Sequence, residues 1–449
     1  MRRLYHPSVY ADDQPVESYW EATAPEMTEP CAPLQGTQSC EVAIIGGGYT
    51  GLSAALHLAR DHGADVRLLE AGYLGWGASG RNGGFCCLPA AKLSIARMIK
   101  TYGREETARF FDSQQEGARL NEQLVLSEGF DFDKTGDGNW EVAHRAKAFD
   151  DLKVYARALS QFGIKTKLYS AAAFREVGHE SREQFGALHI DYGYGLHPLK
   201  FARGLADAAI RRGAKLHPNS RVARWRGDGG KHRLSCANGA ELLADRVIVA
   251  TNGFTREDLH PGFAGRTVPA LSNIVVTRQM SDAEVAAQGF ITQNPICNTR
   301  NLLFYYRLLP DRRLLFGARG DMTGKPQDSR KMGDWMIRRL YEVFPGWQGL
   351  EIDYFWRGLV CMTYRRTPCL GRLAEDDSVL FAFGYHANGV NTAPWAGREV
   401  AKLAVGAGPG EAALPALLRG LSGKVPLPSL RRLALRAAYL GYRLKDDFL

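Results

Sequence analysis

One segment near the start of the chain constrains the fold more than any other. The apolar residues 42–45 lead into Gly-x-Gly-x-x-Gly over residues 46–51, and a helix-like stretch follows. A second apolar run, residues 66–69, ends at the acidic Glu70. Strand, glycine turn, helix and strand in this order form the βαβ unit that binds dinucleotides. The segment therefore predicts a dinucleotide-binding fold.

Each part of this unit has its own predicted task. Gly46 allows a tight turn, Gly48 lets the backbone approach a pyrophosphate, and Gly51 lets the helix pack closely on the strand. The start of the helix offers unpaired N–H groups and the positive end of its dipole to the phosphates. Glu70 is placed to accept hydrogen bonds from the hydroxyls of the adenosine ribose.

Length and composition indicate a globular protein with two domains. The 449 residues are too many for one ordinary hydrophobic core, and 45% hydrophobic with 23% charged residues is typical of globular chains. No apolar run is long enough to cross a bilayer. Arg2 and Arg3 are not followed by the apolar region of a secretory signal. We therefore expect a cytoplasmic protein.

Cysteine usage and net charge argue against several classes of function. The eight cysteines have no regular spacing and no Cys-x-x-Cys pair, so neither a disulfide framework nor a zinc site is expected. The net charge of +9 is a modest surplus for this length, and no basic stripe with interleaved aromatic residues precedes the C-terminal segment. We expect no metal and no nucleic-acid partner, whereas the surplus suits anionic cofactors and carboxylate substrates.

Segments of the dinucleotide-binding type occur three times, separated by two strand-rich segments. We predict an α/β fold in which a Rossmann-like (βαβ) domain is interleaved with an α+β substrate domain on an antiparallel or mixed sheet. The active site is expected between the two domains. The predicted boundaries are a lead-in at 1–38, the dinucleotide domain at 39–95, 195–262 and 352–425, the substrate domain at 96–194 and 263–351, and a basic tail at 426–449.

The basic tail has the pattern of an amphipathic helix. Its leucines and alanines alternate with five basic residues from residue 430 onward. Such a helix can touch an anionic membrane surface, but more often it packs its apolar side on its own domain. We expect packing on the domain.

NAD and FAD both bind to a βαβ unit of this kind. The segment that follows the unit indicates which of the two cofactors is bound. Residues 71–84 form a long, polar, glycine-rich loop that can wrap a pyrophosphate and a ribityl chain through backbone N–H groups and through Ser79, Arg81 and Asn82. A nicotinamide enzyme has no need of this loop. Residues 249–253, at the end of a later strand, are similar to the second flavin-contact motif of flavoproteins with two dinucleotide folds. FAD is therefore the favoured cofactor.

Several further motifs occur along most of the chain: residues 18–20, 78–84, 356–358, 367–373, 383–390 and 427–449. With these motifs the sequence resembles the D-amino-acid oxidase-like superfamily of FAD-dependent oxidoreductases. Within the superfamily it is most similar to the gamma-glutamylputrescine oxidoreductase group, near the sarcosine and glycine oxidases. The resemblance implies oxidation of the C–N bond of an amine or amino acid by hydride transfer to the flavin. The imine product would hydrolyse, and oxygen would reoxidise the flavin with release of hydrogen peroxide, unless another acceptor intervenes.

The residues expected to contact FAD belong to the glycine turn, the acidic strand end, the polar loop and three later segments. They are Gly46, Gly48, Tyr49, Thr50, Gly51, Glu70, Ala71, Ser79, Arg81, Asn82, Gly83, Val222, Thr251, Asn252, Gly253, Asn388, Gly389 and Val390. Sarcosine oxidases attach FAD through a cysteine in a region similar to that of Cys361. Because the spacing from Cys361 to Pro368 differs by one residue, we favour noncovalent FAD.

The sequence departs from the group at the pyrimidine end of the flavin. The group has Gly-Tyr/Phe-Ser-Gly-His-Gly-Val, whereas residues 384–390 read Gly-Tyr-His-Ala-Asn-Gly-Val. His386 is a candidate catalytic residue that either helps to activate oxygen or tunes the protonation of the amine, and a structural role is the alternative. Asn388 is expected to support the loop or to donate to the flavin.

Tyr305 and Arg307 are the other candidate catalytic residues. They alternate on one strand of the predicted substrate domain, so their side chains share a face. An arginine there suits a substrate carboxylate, but a stacked or solvated arginine is the somewhat favoured explanation.

Two other classes of function stay open from the sequence. The superfamily includes a module that acts on modified wobble uridine of tRNA, so a tRNA-modification enzyme is one alternative. A flavin-bearing subunit that relays electrons within a larger complex is the other. Salt-sensitive RNA binding would favour the former, and amine turnover by the isolated chain would exclude the latter.

Overall fold

The structure is a computed structural model that describes residues 3–448. The first two residues of the predicted lead-in and the last residue of the predicted tail lie outside the described residues. The strands are β1 (Thr37–Ile45), β2 (Val66–Leu69), β3 (Phe85–Cys86), β4 (Asn139–Val142), β5 (Thr166–Tyr169), β6 (Ala187–Ile190), β7 (Tyr194–Gly195), β8 (Lys215–His217), β9 (Val222–Asp228), β10 (Lys231–Cys236), β11 (Glu241–Val249), β12 (Thr267–Thr277), β13 (Ile296–Asn298), β14 (Phe304–Leu308), β15 (Leu314–Arg319), β16 (Ile352–Thr363), β17 (Cys369–Leu373) and β18 (Asp376–Phe383). The helices are α1 (Tyr19–Thr23), α2 (Tyr49–His62), α3 (Ile95–Tyr102), α4 (Arg104–Glu128), α5 (Ala146–Ser160), α6 (Ala171–Arg175), α7 (Pro198–Arg211), α8 (Asp282–Ala287), α9 (Pro326–Val343), α10 (Gly389–Ala404) and α11 (Arg431–Phe448).

The first sheet is built around the predicted βαβ unit. Its parallel strands run in the order β18-β11-β1-β2-β8, and β17 pairs antiparallel with β18 at one edge. The first half of β11 also pairs with the hairpin of β9 and β10. Alternate residues of β1 face opposite layers: Val42 and Ile44 pack with residues of α2, α7 and α10, and Ala43 and Ile45 pack toward the hairpin. Both faces are therefore buried, as in other parallel sheets.

The second sheet runs in the order β16-β12-β15-β14-β13-β4-β6-β5. All its pairs are antiparallel except β13 with β4. One face packs on α9, where Phe304, Tyr306 and Phe316 contact the apolar side of the helix. The alternate residues of the same strands face away from α9, and this opposite face forms part of the cavity described below. The predicted α/β fold with a second, mixed sheet is confirmed.

Two segments sit differently from the predicted domain boundaries. The predicted boundaries put β16 in the dinucleotide domain, but it pairs with β12 from Thr267 to Thr277 and so belongs to the second sheet. The predicted boundaries put α4 in the substrate domain, but it packs against α10, where Asn121 Nδ2 donates to the Val390 carbonyl at 2.9 Å. Both assignments depended on contacts between segments far apart in the sequence.

The C-terminal helix α11 packs on the second sheet, as expected from its amphipathic pattern. Leu435 and Tyr439 are buried against Ala270, Leu302 and Met362. Within residues 3–448, none of the helices has the combination of length and apolar character that crossing a membrane requires. The cytoplasmic location stays a prediction.

Candidate active site

A cavity of about 850 Å³ lies between the two sheets. Its walls come from the glycine turn, the polar loop and the later turns of the first sheet, and from the inner face of the second sheet. Every predicted cofactor residue except Gly51 lines it, and so do His386 and Tyr305. The structure therefore brings together residues that are more than 300 positions apart in the sequence.

The glycine turn at the start of α2 has no room for side chains. Gly46 has a φ of 111°, and a Cβ added there would lie 2.8 Å from the Ala250 carbonyl oxygen. A Cβ on Gly51 would lie 1.9 Å from the Gly46 carbonyl oxygen. Gly48 is the N-cap of α2 and supplies no side chain to cap it. The Tyr49 N–H donates to Ser79 Oγ at 2.9 Å. The next N–H groups of the first turn stay available for an anionic ligand, which fits a pyrophosphate.

Glu70 lies beside this turn, at the end of β2. Its carboxylate accepts hydrogen bonds from the backbone N–H groups of Gly47 at 2.6 Å and Gly72 at 3.0 Å. Burial raises the pKa of Glu70 above its ordinary value, and the two backbone donors oppose that rise. Each carboxylate oxygen retains a second lone pair that can accept from a ribose hydroxyl.

The polar loop is held in place by its own side chains and by two indoles. Asn82 Nδ2 donates to the Ser79 carbonyl at 2.8 Å, and Arg81 Nε donates to the Trp76 carbonyl at 2.7 Å. Trp20 Nε1 donates to the Asn82 carbonyl, and Trp356 Nε1 donates to the Arg81 carbonyl, both at 2.8 Å. The side chains of Arg81 and Asn82 thus shape the loop.

The turn after β11 and the neighbouring strand β9 close the other side of the cavity. Val222, Thr251, Asn252 and Gly253 all line it. Asn252 has a positive φ of 45°, and its Oδ1 accepts from the Gly384 N–H at 2.9 Å. This bond joins the turn after β11 to the turn after β18, which leads into α10.

His386 lies in that second turn and is almost fully buried. The Thr363 hydroxyl donates its proton to the Thr367 carbonyl at 2.7 Å. His386 Nε2 lies 3.2 Å from the same hydroxyl oxygen. Because the Thr363 proton is already used, His386 Nε2 must carry the hydrogen and donate it to the Thr363 oxygen. His386 Nδ1 is then an acceptor, and it has no hydrogen-bond partner within the described part of the chain. Burial lowers the pKa of His386 to about 3. The imidazole is neutral at physiological pH, which does not support the predicted role as a protonated activator of oxygen.

Asn388, Gly389 and Val390 form the start of α10. Asn388 Nδ2 donates to the Pro89 carbonyl, and its Oδ1 accepts from the Cys87 thiol at 3.4 Å. Of the two predicted roles for Asn388, the structure places the side chain in loop support. Because Asn388 does not cap α10, the N–H groups of the first turn of α10 stay available at the cavity.

Arg307 is not brought to the cavity, and the predicted substrate contact is not supported. Its side chain shares a face with Tyr305 but lies deeper, where it is 1% exposed. The guanidinium donates to the Gly83 carbonyl at 3.0 Å, to Thr135 Oγ1 at 3.0 Å and to the Leu196 carbonyl at 2.6 Å. These bonds attach the polar loop to the second sheet, so Arg307 is a structural residue.

Tyr305 lines the cavity on the inner face of the second sheet. Its hydroxyl is 3.0 Å from Ser272 Oγ, and its ring lies over Gly317, where an added Cβ would be 2.0 Å from the ring. Cys297 pairs with Tyr305 in the next strand and Glu141 pairs with Cys297 in the strand beyond. The inner face therefore presents these side chains as a row across three strands.

Three charged residues on this wall were not predicted from the sequence: Lys92, Glu141 and Arg319. Within residues 3–448, their side chains form no hydrogen bond or ion pair at contact distance. Desolvation by the surrounding protein raises the pKa of Glu141 to about 7, although the Lys92 ammonium opposes the rise. Desolvation, followed by repulsion from Arg319, lowers the pKa of Lys92 to about 8. One acidic and two basic groups thus face the cavity without partners.

One of these residues left a signal in the sequence. Glu141 interrupts an apolar strand between Trp140 and Val142, and the strand period of two residues puts it on the face opposite to both. Arg319 and Lys92 follow no such pattern, because each ends or follows a strand at a place that only the folded chain defines.

Cys361 lines the cavity, where burial raises the pKa of its thiol. A neutral thiol is a poor nucleophile, which agrees with noncovalent attachment of the cofactor. The described residues contain no group of three or more His, Cys, Asp or Glu side chains that could hold a metal ion. The uncapped helix starts, the glycine cradle and Glu70 together fit FAD.

The sequence is similar to those of known proteins. Residues 41–403 match the family described as FAD dependent oxidoreductase (DAO). The gamma-glutamylputrescine oxidoreductase of Escherichia coli strain K12 is 34% identical over 393 residues, which cover 86% of this chain and 88% of the relative. The glycine oxidase of Bacillus subtilis strain 168 is 24% identical over 379 residues, covering 81% and 92%.

The fold is similar to those of solved structures. The crystal structure of glycine oxidase from Geobacillus kaustophilus superposes with a TM-score of 0.69 at 22% identity, covering 84% of this chain and 98% of that one. This likeness concerns the fold. Together with the sequence matches and the cavity geometry, it leads to one conclusion: the chain belongs to the DAO family of FAD-dependent oxidoreductases and is an enzyme that uses FAD.

Proposed function

We propose that this enzyme oxidises the C–N bond of an amine or amino acid that carries both a basic nitrogen and a carboxylate. The observation that carries the proposal is the set of unpartnered charges on the cavity wall: Lys92, Glu141 and Arg319. The curated relatives include enzymes named for amine and amino-acid substrates. Molecules like gamma-glutamylputrescine, sarcosine or glycine fall within this class.

The physical reason is that a bound ligand would remove these side chains from water: at the cavity Lys92 is exposed, and Glu141 and Arg319 are partly exposed. A charged group removed from water is unfavourable unless an opposite charge or hydrogen bonds compensate. Glu141 can accept hydrogen bonds from an ammonium group, and Arg319 can hold a carboxylate through two parallel bonds. Lys92 adds a second positive charge for the anionic end. A ligand with charges of both signs therefore complements the wall better than a simple amine.

FAD, when bound, would supply the acceptor for the hydride equivalent that leaves the carbon beside the nitrogen. An ammonium substrate first gives up a proton to solvent, so that the nitrogen lone pair can form the C=N bond of the imine. The chain itself binds and orients the substrate. Tyr305 provides a flat apolar wall, and the neutral His386 offers Nδ1 as an acceptor for an N–H group. The N–H groups at the start of α10 supply positive potential at the same end of the cavity.

The first experiment is a screen of amines and amino acids with the purified yellow protein. Hydrogen peroxide is measured in air, and bleaching of the flavin is measured without oxygen, since bleaching detects substrates even when oxygen is a poor acceptor. We expect compounds with both an amine and a carboxylate to be the best substrates. If simple monoamines turn over as fast as such compounds, the proposed recognition is wrong.

Variants of the charged residues test the recognition directly. Glu141→Gln, Lys92→Met and Arg319→Met should each lower kcat/KM about 10- to 100-fold, because a hydrogen bond to a charged group contributes about 1.5–3 kcal/mol. Arg319→Met should lose the preference for carboxylate-bearing substrates. Lys331→Met, on an exposed part of α9, is the matched control and should behave as the parent protein. Equal kinetics for parent and cavity variants would contradict the proposal.

The two alternative functions have their own outcomes in these measurements. Turnover of an amine by the isolated chain excludes a mere electron relay. Salt-sensitive binding of tRNA would favour the modification enzyme. We propose oxygen as the acceptor, because peroxide formation needs no partner protein.

A further inference from the structure

The C-terminal helix α11 has a second apolar face that the protein does not cover. Its inner face packs on the second sheet through Leu435 and Tyr439. On the outer face, Leu433 is 63%, Leu440 63% and Leu444 52% exposed. Their spacing of seven and four residues places these leucines in one stripe along the helix. Among the side chains of residues 3–447, none buries this stripe.

The exposed hydrophobic residues are concentrated near the C-terminal helix, whereas surface hydrophobic residues are ordinarily scattered. Six of the thirteen large hydrophobic residues exposed in the described chain fall between residues 427 and 444, and the other seven are distributed over the remaining sequence. Contiguous exposed apolar surface of this kind is typical of interaction sites. The outer face of α11 therefore has the character of an interaction site.

The charged residues beside the leucine stripe indicate the chemical class of its binding partner. At 100° per residue, Arg432, Arg436 and Arg443 lie along one side of the leucines, and all three are exposed. The two acids near the end of the helix are occupied: Asp446 accepts from the backbone of Asn301 and Leu302, and Asp447 pairs with Arg300 at 2.8 Å. The stripe therefore has a positive border.

A positive border favours an anionic bilayer over a second copy of the chain. In a symmetric dimer with antiparallel α11 helices the arginine rows of the two copies would approach each other, which costs energy. Phospholipid headgroups instead provide phosphates for the arginines and acyl chains for the leucines. The helix is 18 residues long, which suits a helix lying in the plane of the membrane surface.

We infer that α11 is a docking site for anionic phospholipid bilayers. Leu433, Leu440 and Leu444 enter the boundary between headgroups and acyl chains, and Arg432, Arg436 and Arg443 contact the lipid phosphates. The inner face stays packed on the second sheet, so docking requires no unfolding. The enzyme is then a peripheral membrane protein, whatever its substrate is.

The test is cosedimentation of the FAD-loaded, full-length protein with vesicles of phosphatidylcholine alone or with added phosphatidylglycerol. We expect binding to the anionic vesicles only, weakening as salt rises. Arg436→Gln with Arg443→Gln should lower the partition coefficient about 25-fold, since each basic residue near an anionic surface contributes about fivefold. Arg330→Gln with Arg338→Gln removes the same charge from exposed positions of α9 and should change it less than twofold. No binding to anionic vesicles, or equal losses in both pairs, would overturn the inference.

The role of the leucine stripe is tested separately from that of the arginines. Leu433→Asp with Leu440→Asp should abolish vesicle binding, whereas Leu126→Asp, at a position 82% exposed on α4, should not. Light scattering is measured on the same proteins. If Leu433→Asp with Leu440→Asp turns a dimer into a monomer and the parent ignores vesicles, the stripe is a protein interface and the inference is wrong.

Discussion

Replacing Arg307 with methionine tests whether this buried arginine holds the polar loop or binds substrate. The change leaves two carbonyl oxygens, of Gly83 and Leu196, without their donors. Each buried unsatisfied acceptor costs about 1–3 kcal/mol, and relief from burying the guanidinium offsets part of this cost. We expect the free energy of unfolding to fall by about 2–4 kcal/mol. FAD affinity should fall at least tenfold, because the loop that lines the cavity loses its attachment.

The measurements are urea unfolding at saturating FAD and titration of the apoprotein with FAD. Arg319→Met is the matched control, since this arginine lies on the neighbouring strand and faces the cavity. The control should raise KM for carboxylate-bearing substrates and leave the free energy of unfolding within about 0.5 kcal/mol of the parent. If Arg307→Met instead raised KM selectively, with stability and FAD affinity unchanged, the structural role assigned to Arg307 would be refuted.

Four further predictions concern the cavity walls. Gly51→Ala should abolish FAD binding, measured by flavin content, because the new Cβ would lie 1.9 Å from a carbonyl oxygen. Ala387→Gly should raise the free energy of unfolding by about 0.5–1 kcal/mol in urea, because Ala387 has a positive φ of 82° that favours glycine. The profile of kcat/KM against pH should peak between about 7 and 8, because Glu141 is ionised above its pKa of about 7 and Lys92 is protonated below its pKa of about 8. Glu141→Gln should remove the acid limb of that profile, and Lys92→Met the alkaline limb. Acid precipitation should leave the flavin in the supernatant, and flavin retained in the pellet would point to Cys361.

The dinucleotide-binding half of the site could be predicted because its determinants are local. Gly46, Gly48 and Gly51 lie within six residues, and their spacing alone describes the turn that the structure contains. Glu70 ends the strand that pairs directly with β1. In such a unit the sequence order and the spatial order agree, so the pattern is sufficient.

The substrate half could be predicted only in part because its geometry depends on pairing between distant segments. The strand period places Tyr305 and Arg307 on one face, but it does not say how deep each side chain lies. Glu141 and Arg319 reach the same wall from strands that are about 180 residues apart in the sequence, through the register of β4, β13, β14 and β15. No local pattern records that register.

The position of β16 has the same cause. Its residues precede a strand of the first sheet, so sequence order favours the dinucleotide domain. Its hydrogen bonds run instead to β12, about 85 residues earlier. The sheet to which β16 belongs is therefore set by its distant partner β12 and not by the strand that follows it in the chain.

The most direct test of the central claim is an anaerobic titration of the FAD-loaded protein with amino compounds, followed by the visible absorption of the flavin. The account predicts complete bleaching by at least one amine that carries a carboxylate. It also predicts that Glu141→Gln needs a concentration at least tenfold higher for half bleaching. A protein that emerges colourless even after incubation with excess FAD, or a flavin that no amine or amino acid bleaches, would contradict the account.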